Sequence, residues 1–290
     1  MDAIRVRGLR KAYGDNVAVG GVDLDVSHGE VFALLGPNGA GKTTTVEILE
    51  GYRRRDDGEV RVLGVDPAVA QGRRGTGDPV AKRWRERVGI VLQGTGEFDE
   101  LTVGEVVRHF ARFYPGADDP AKVIDRVGLT EKAAARTHTL SGGQKRRLDV
   151  ALGIIGRPEL LFLDEPTTGF DPEARREFWQ LIRALQAGGT TIVLTTHYLE
   201  EAEALADRVG VIAKGRLIAV DTPRSLGRRD SALATVSWRT PEGSWERTQS
   251  ATPTAVVADL AARFAGEVPG LTVTRPTLED IYLEMIGDVA

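Results

Sequence analysis

The chain contains no cysteine. A disulfide framework, a cysteine zinc site and a thiol nucleophile are therefore excluded, and the composition suits a reducing compartment. Long apolar runs are missing too. No stretch approaches the roughly 18 consecutive apolar residues that a membrane-crossing helix needs. Met1 to Arg10 is charged rather than apolar, so no secretory leader is expected. Neither sign of charge dominates. The chain has 38 basic and 42 acidic residues, a net charge of −4, which gives no global pull toward nucleic acid. Internal repeats and low-complexity tracts are also absent. What remains is 290 residues, 41% hydrophobic and 28% charged, ordinary for a globular chain with a real core and long enough for two domains.

The hydrophobic pattern changes along the chain. Ile4 to Arg7 and Val22 to Val26 alternate, as half-buried strands do. Val31 to Leu35 is a continuous apolar run ending in glycine, the pattern of a buried parallel strand, and a helix is expected from Lys42 to Glu50. Further strands are expected at 60–63, 88–92, 160–163 and 190–196. A hairpin is expected around Lys214-Gly215. The Gly- and Arg-rich segment from Gln71 to Asp78 reads as an exposed loop, and no role attaches to the stretch from Val69 to Arg87. Thr102 with Glu105 forms a capping box, Pro120 opens another helix, and about 95–158 is mostly helical. Asp171 caps a long helix with Pro172 at its first position. The pattern weakens past Pro223, placing a boundary near 222–230, with domains of 1–222 and 223–290. The Arg53-Arg54-Arg55 run reads as a solvated face.

Gly36-Pro37-Asn38-Gly39-Ala40-Gly41-Lys42-Thr43 fits the pattern G-x-x-x-x-G-K-[ST], directly after a buried strand and before a helix. Its glycines let successive backbone N–H groups point inward around a polyphosphate, and the helix N-terminus adds its positive end. Lys42 brings a full charge to the β- and γ-phosphates, and the Thr43 hydroxyl is a hard oxygen ligand for Mg²⁺. Asp164 and Glu165 follow four apolar residues, at the carboxyl end of a strand, where open α/β sheets bind ligands. Asp164 suits the Mg²⁺ shell, and Glu165 suits orienting or deprotonating an attacking water. Leu140-Ser141-Gly142-Gly143-Gln144 opens a further helix whose start can accept an anion.

This ordered set resembles the nucleotide-binding subunit of an ATP-binding cassette (ABC) transporter. Gly36–Thr43 matches the Walker A motif, with Thr44 following, and Gln93 matches the Q-loop. Leu140–Gln144 matches the signature, Leu160–Glu165 the Walker B motif, Gly169-Phe170-Asp171 the D-loop and His197 the switch histidine. Tyr13 resembles the aromatic residue that stacks on adenine. The resemblance implies an α/β P-loop ATPase core. Its parts would be a mostly parallel sheet, an antiparallel β subdomain, a helical insert and a small α+β C-terminal domain. It also implies ATP and Mg²⁺ as cofactors, with Thr43, Gln93 and Asp164 around the metal. Glu165 would be the general base, and His197 would bond the γ-phosphate.

Further implications concern assembly. Two cassettes would close head to tail, so that Ser141, Gly142, Gly143 and Gln144 serve the partner's nucleotide. An integral membrane permease would dock on the helical insert, with the chain peripheral at the cytoplasmic face of the cell membrane. Phe170 departs from the leucine common in the D-loop. The ending Arg275 to Leu283 resembles that of daunorubicin-resistance export ATPases, with Thr277 capping a helix toward Asp280. The expected function is ATP hydrolysis powering efflux of a drug-like or lipophilic cargo. Two alternatives stand beside it. One is a soluble ABC-type ATPase acting on nucleic acid or ribosomes, whose relatives usually carry two cassettes or a long coiled coil. The other is a P-loop kinase or switch, which needs no Ser141–Gln144 motif.

Overall fold

A computed structural model describes residues 2–71, 78–91 and 98–287. The chain divides into two compact units, Met1–Val220 and Asp221–Ala290.

In the first unit, β1 (Asp2–Tyr13) pairs antiparallel with β2 (Asn16–Ser27) on one side and β4 (Asp57–Val62) on the other. Alternation decides which face is buried: Ile4, Val6, Val22, Leu24, Val26, Val60 and Val62 point into one core. The same core takes Val46, Ile48 and Leu49 from α1 (Lys42–Leu49). The helix behind Gly36–Thr43 is thus held by apolar burial, at roughly 1.5–3 kcal/mol per large side chain.

The central sheet has the order β5–β6–β7–β3–β8–β9. Its strands are β3 (Val31–Leu35), β5 (Val88–Val91), β6 (Leu160–Asp164), β7 (Thr191–Thr196), β8 (Arg208–Ala213) and β9 (Arg216–Asp221). The run from β5 to β8 is parallel throughout. β3 and β7 are buried along their whole length, as strands covered on both faces must be. Because β3 lies between β7 and β8 and β7 adjoins β6, the carboxyl ends of β3, β6 and β7 come side by side.

One helix was not legible in the sequence. Asp78 caps α2 (Pro79–Glu86), and this helix buries Ala81 and Trp84, whose indole Nε1 donates to Val62 O at 3.0 Å. The residues on either side of Trp84 are charged, which masks the helix's single large anchor. Residues 72–77 of the expected loop lie outside the described residues. The Arg53–Arg55 run is a solvated face only at Arg54, which is exposed. Arg53 pairs with Glu47 at 2.5 Å, and Arg55 binds both oxygens of Asp66 at 2.8 and 2.7 Å.

The helical segment comprises α3 (Val103–Ala111), α4 (Pro120–Arg126) and α5 (Gly142–Ile154). The Thr102–Glu105 box that opens α3 is formed in both directions. Two more helices flank the sheet, α6 (Pro172–Ala187) and α7 (Leu199–Leu205). The Asp171 carboxylate caps α6 by accepting from the N–H groups of Glu173 and Ala174.

The second unit is α+β. Strands β10 (Ala234–Arg239), β11 (Trp245–Ser250) and β12 (Thr272–Thr274) form an antiparallel sheet in the order β11–β10–β12. Val236, Trp238 and Val268 pack with Leu260 of α8 (Pro253–Arg263). Thr277 and Asp280 cap the start of α9 (Leu278–Gly287) reciprocally.

Candidate functional site

The loop Gly36–Gly41 joins β3 to α1, and neighbouring backbone demands glycine at Gly36 and Gly41. A Cβ on Gly36 would lie 2.3 Å from the carbonyl oxygen of Ile212 on β8. A Cβ on Gly41 would lie 2.3 Å from Ala18 O on β2, and Gly41 caps α1 with φ at 103°, in the left-handed region. Pro37, Asn38 and Gly39 stand exposed at the rim, while Ala40 is buried and its carbonyl accepts from Gly215 N at 3.0 Å. Lys42 is buried, and its Nζ donates to Gly36 O at 2.6 Å and Pro37 O at 3.1 Å. Burial lowers its pKa, against the opposing pull of the Glu165 and Asp164 carboxylates. The ammonium is thus held inside the loop. Thr43 is exposed and Thr44 half-buried at the first turn of α1.

β6 delivers Asp164 and Glu165 to the same sheet edge. The Thr195 hydroxyl of β7 donates to Asp164 Oδ1. Glu165 is left-handed, with φ at 43°, a conformation that costs a non-glycine residue about 1–3 kcal/mol and clusters at functional sites. Its N–H donates to Thr195 O at 3.1 Å, which offsets part of that cost. Beyond β7, His197 Nδ1 lies 3.2 Å from Glu165 Oε1. The imidazole rests on Tyr198 with ring centroids 4.0 Å apart, and the Arg175 guanidinium lies 4.9 Å from the Tyr198 ring. Three chain segments therefore converge: Lys42 from the first, Asp164 and Glu165 from the second, His197 from the third.

The donor set fits a magnesium nucleotide. Among the described residues no cluster of three or more His, Asp or Glu could hold a metal alone. Mg²⁺ keeps several waters and takes one or two protein oxygens plus phosphate. The Thr43 hydroxyl and the Asp164 carboxylate are such hard oxygens.

The Ser141–Gln144 turn lies at the start of α5. Ser141 N donates to Gln144 Oε1 at 3.0 Å and Gln144 N to Ser141 Oγ at 3.3 Å, a capping box that leaves Ser141 and Gly142 exposed. Gly143 and Gln144 are half-buried. Phe170 packs edge-on against the buried Phe178 at 5.7 Å, which ties the turn before α6 to that helix. Tyr13 is 40% exposed, with Lys11 Nζ and the Arg53 guanidinium each 5.4 Å from its ring centroid. Gln93 lies outside the described residues.

Sequence reasoning missed Arg146. It sits on α5, buried, and donates to Asp164 O at 2.6 Å and Pro166 O at 3.2 Å. Desolvation pulls its pKa down, yet the guanidinium stays charged, because its ordinary value lies so high. It links α5 to the backbone at the end of β6. Thr195 was missed as well, because in the sequence it is one β-branched strand residue among several. No local pattern marks either residue.

Comparison with known proteins identifies the family. The family model described as ABC transporter matches residues 19–168. A daunorubicin resistance ATP-binding protein of Streptomyces coeruleorubidus is 37% identical, covering 99% of this chain and 96% of that protein. A Nod factor export ATP-binding protein I of Burkholderia orbicola is also 37% identical, over 98% of this chain and 97% of its own length. Among solved structures, cbiO1 from Clostridium perfringens, part of the ABC transporter complex cbiONQ, has a TM-score of 0.66 at 27% identity. It covers 77% of this chain and 90% of that one. The structure of an ATP-binding subunit of an ABC transporter has a TM-score of 0.69 at 22% identity over 98% of this chain and 99% of that one, so its fold is shared almost end to end. The chain belongs to the ABC transporter family, as an ATP-binding and ATP-hydrolysing subunit.

Proposed function

We propose that this ATPase powers export of a drug-like or lipophilic substrate through a separate integral membrane permease. The observation that carries the reading is the convergence of Lys42, Asp164, Glu165 and His197 at one sheet edge. The near-full-length similarity to a resistance and an export ATP-binding protein supports export as the direction. Among the described residues no helix is long and apolar enough to cross a membrane, and the permease would supply the transport path. Attachment would be peripheral, at the cytoplasmic face, with 1–222 as the nucleotide-binding domain, about 95–158 as its docking segment and 223–290 as an accessory domain.

Within the site, Lys42 and the N–H groups of Gly39 to Thr44 would hold the phosphates, and Tyr13 would stack on adenine. Bound Mg²⁺ would neutralise charge on the β- and γ-phosphates, with Thr43, Asp164 and Gln93 around it. Glu165 would accept the proton of the water that attacks the γ-phosphorus, and His197, 3.2 Å from it, would orient that carboxylate and reach the γ-phosphate. A second copy of the chain would close the site with Ser141, Gly142, Gly143 and Gln144, in a homodimer. No feature calls for nucleic acid, since the net charge is −4.

The test is transport. The chain, co-expressed with a candidate multi-span permease, should drive ATP-dependent uptake of daunorubicin or another lipophilic dye into inside-out vesicles. Glu165→Gln should abolish that uptake. ATP hydrolysis that no permease couples to transport would refute the proposal.

A further inference from the structure

One buried acid has no part in the chemistry above. Glu201, on α7, is 0% exposed. Among the described residues, neither of its carboxylate oxygens makes a hydrogen bond of normal geometry. The same is true of three buried polar atoms, Thr167 Oγ1, Trp179 Nε1 and Arg175 Nε. These residues are its surroundings. Burial dominates and raises its pKa, while the Thr196 and Thr167 hydroxyls, the Trp179 indole and the Arg175 charge pull it down. A carboxyl without water is costly unless donors close on it. Here the donors come from three separate places: the loop after β6, the end of β7, and α6.

Those places are the supports of the hydrolytic pair. Thr167 follows Glu165 by two residues, and Thr196 immediately precedes His197. The Glu201 N–H donates to Tyr198 O at 3.1 Å, and the Tyr198 N–H donates to Thr196 Oγ1 at 2.9 Å. His197 therefore sits in a short turn held at one end by Thr196 and at the other by Glu201. Its ring leans on Tyr198, whose other neighbour, Arg175, lies 3.7 Å from Glu200.

We propose that Glu201 is a positioning residue for ATP hydrolysis. By gathering the hydroxyls of Thr167 and Thr196 and the indole of Trp179 around one buried carboxyl, it sets the register between the Glu165 loop and the His197 turn. It touches neither nucleotide nor water and acts only through those two residues, so the inference rests on their assignment above.

The test compares three single variants, one double variant and a Glu165→Gln control of the full-length chain in steady-state ATPase assays with Mg²⁺ and ATP. Glu201→Leu fills the space without an acceptor and leaves the Thr167, Thr196 and Trp179 donors without one, so some loss of stability is expected. In the folded protein it should reduce kcat at least tenfold, with KM for ATP within twofold of the parent. Glu201→Gln keeps an acceptor of the same shape and should restore kcat to within threefold of the parent. Thr167→Val removes one donor and should lower kcat severalfold. Combined with Glu201→Leu it should add no further loss, because both remove one link. A parental kcat in Glu201→Leu overturns the proposal, and so does a Gln variant as slow as the Leu variant. If Glu201→Leu fails to fold, Thr167→Val decides, and a parental kcat there is equally fatal. Glu165→Gln runs alongside. Normal turnover in it removes the underlying site assignment, whereas a dead Glu165→Gln with a normal Glu201→Leu defeats only the positioning role.

Discussion

Neutralising Glu50 should stabilise the protein, and increasingly so as pH rises. Glu50 ends α1, is 8% exposed, and lines a cavity of about 340 Å³ with Trp84, Phe110, Tyr114 and Asp149. Burial first, then the charges of Asp164 and Glu47, push its pKa from the ordinary 4.5 up to about 8. Below pH 4.5 the carboxyl is protonated whether the chain is folded or not, so it costs nothing. Between pH 4.5 and 8 only the unfolded chain gives up the proton, and stability falls as pH rises. Above pH 8 both states are ionised and the full cost is present. The gap from 4.5 to about 8 is roughly 3.5 pH units. At about 1.36 kcal/mol per unit the upper figure is about 5 kcal/mol, and a folded value one unit lower gives about 3 kcal/mol. Glu50→Gln keeps the shape and cannot ionise. In urea unfolding at fixed pH from 4 to 9, parent and variant should be close in stability at pH 4. By pH 8.5 the variant should lead by about 3–5 kcal/mol, with equal m-values. A stability difference that does not change with pH, or one that favours the parent at high pH, would refute the reasoning, since every other titrating group is common to both proteins.

Three further outcomes follow from the site and its supports. Lys42→Ala should weaken ATP binding by about 10–100-fold, the worth of a buried charge-assisted contact, and equilibrium binding of a fluorescent ATP analogue checks it. Ser141→Arg in one subunit of a mixed dimer should silence the nucleotide held by the other subunit's Gly36–Thr43 loop. ATPase assays with Lys42→Ala placed on the same or the opposite chain distinguish this from action within one chain. Trp84→Ala should cost about 3–5 kcal/mol, because it empties a fully buried site and removes the bond to Val62 O. For a unit of this size that is a fall in Tm of about 10 °C, read by calorimetry.

Features carried by residues close together in the chain are legible in the sequence itself. Ser141 with Gln144, Thr102 with Glu105 and Thr277 with Asp280 are each three residues apart, and all three pairs form as the spacing predicts. The loop Gly36–Thr43 follows a strand and opens a helix as expected. The α2 helix leaves little trace in the sequence because its apolar content is little more than one tryptophan among arginines. Its anchor is a contact 22 residues away. Arg55 reads as solvated for a similar reason, since its partner Asp66 lies 11 residues on, beyond β4.

The order of residues alone therefore establishes the chemical vocabulary of this protein: which loop can cradle phosphate, which acids end a buried strand, which helices are capped. These properties depend on backbone freedom and hydrogen bonds within a turn or two, and such interactions are written locally. Folding in three dimensions adds the grammar. Placing β7 between β6 and β3 brings Thr195 to Asp164 and His197 to Glu165. It encloses Arg146, Glu50 and Glu201 away from water, and it makes Gly36 and Gly41 obligatory by pressing the Ile212 and Ala18 carbonyls against them. Burial and close approach belong to pairs of distant segments, so no short stretch of the chain can announce them.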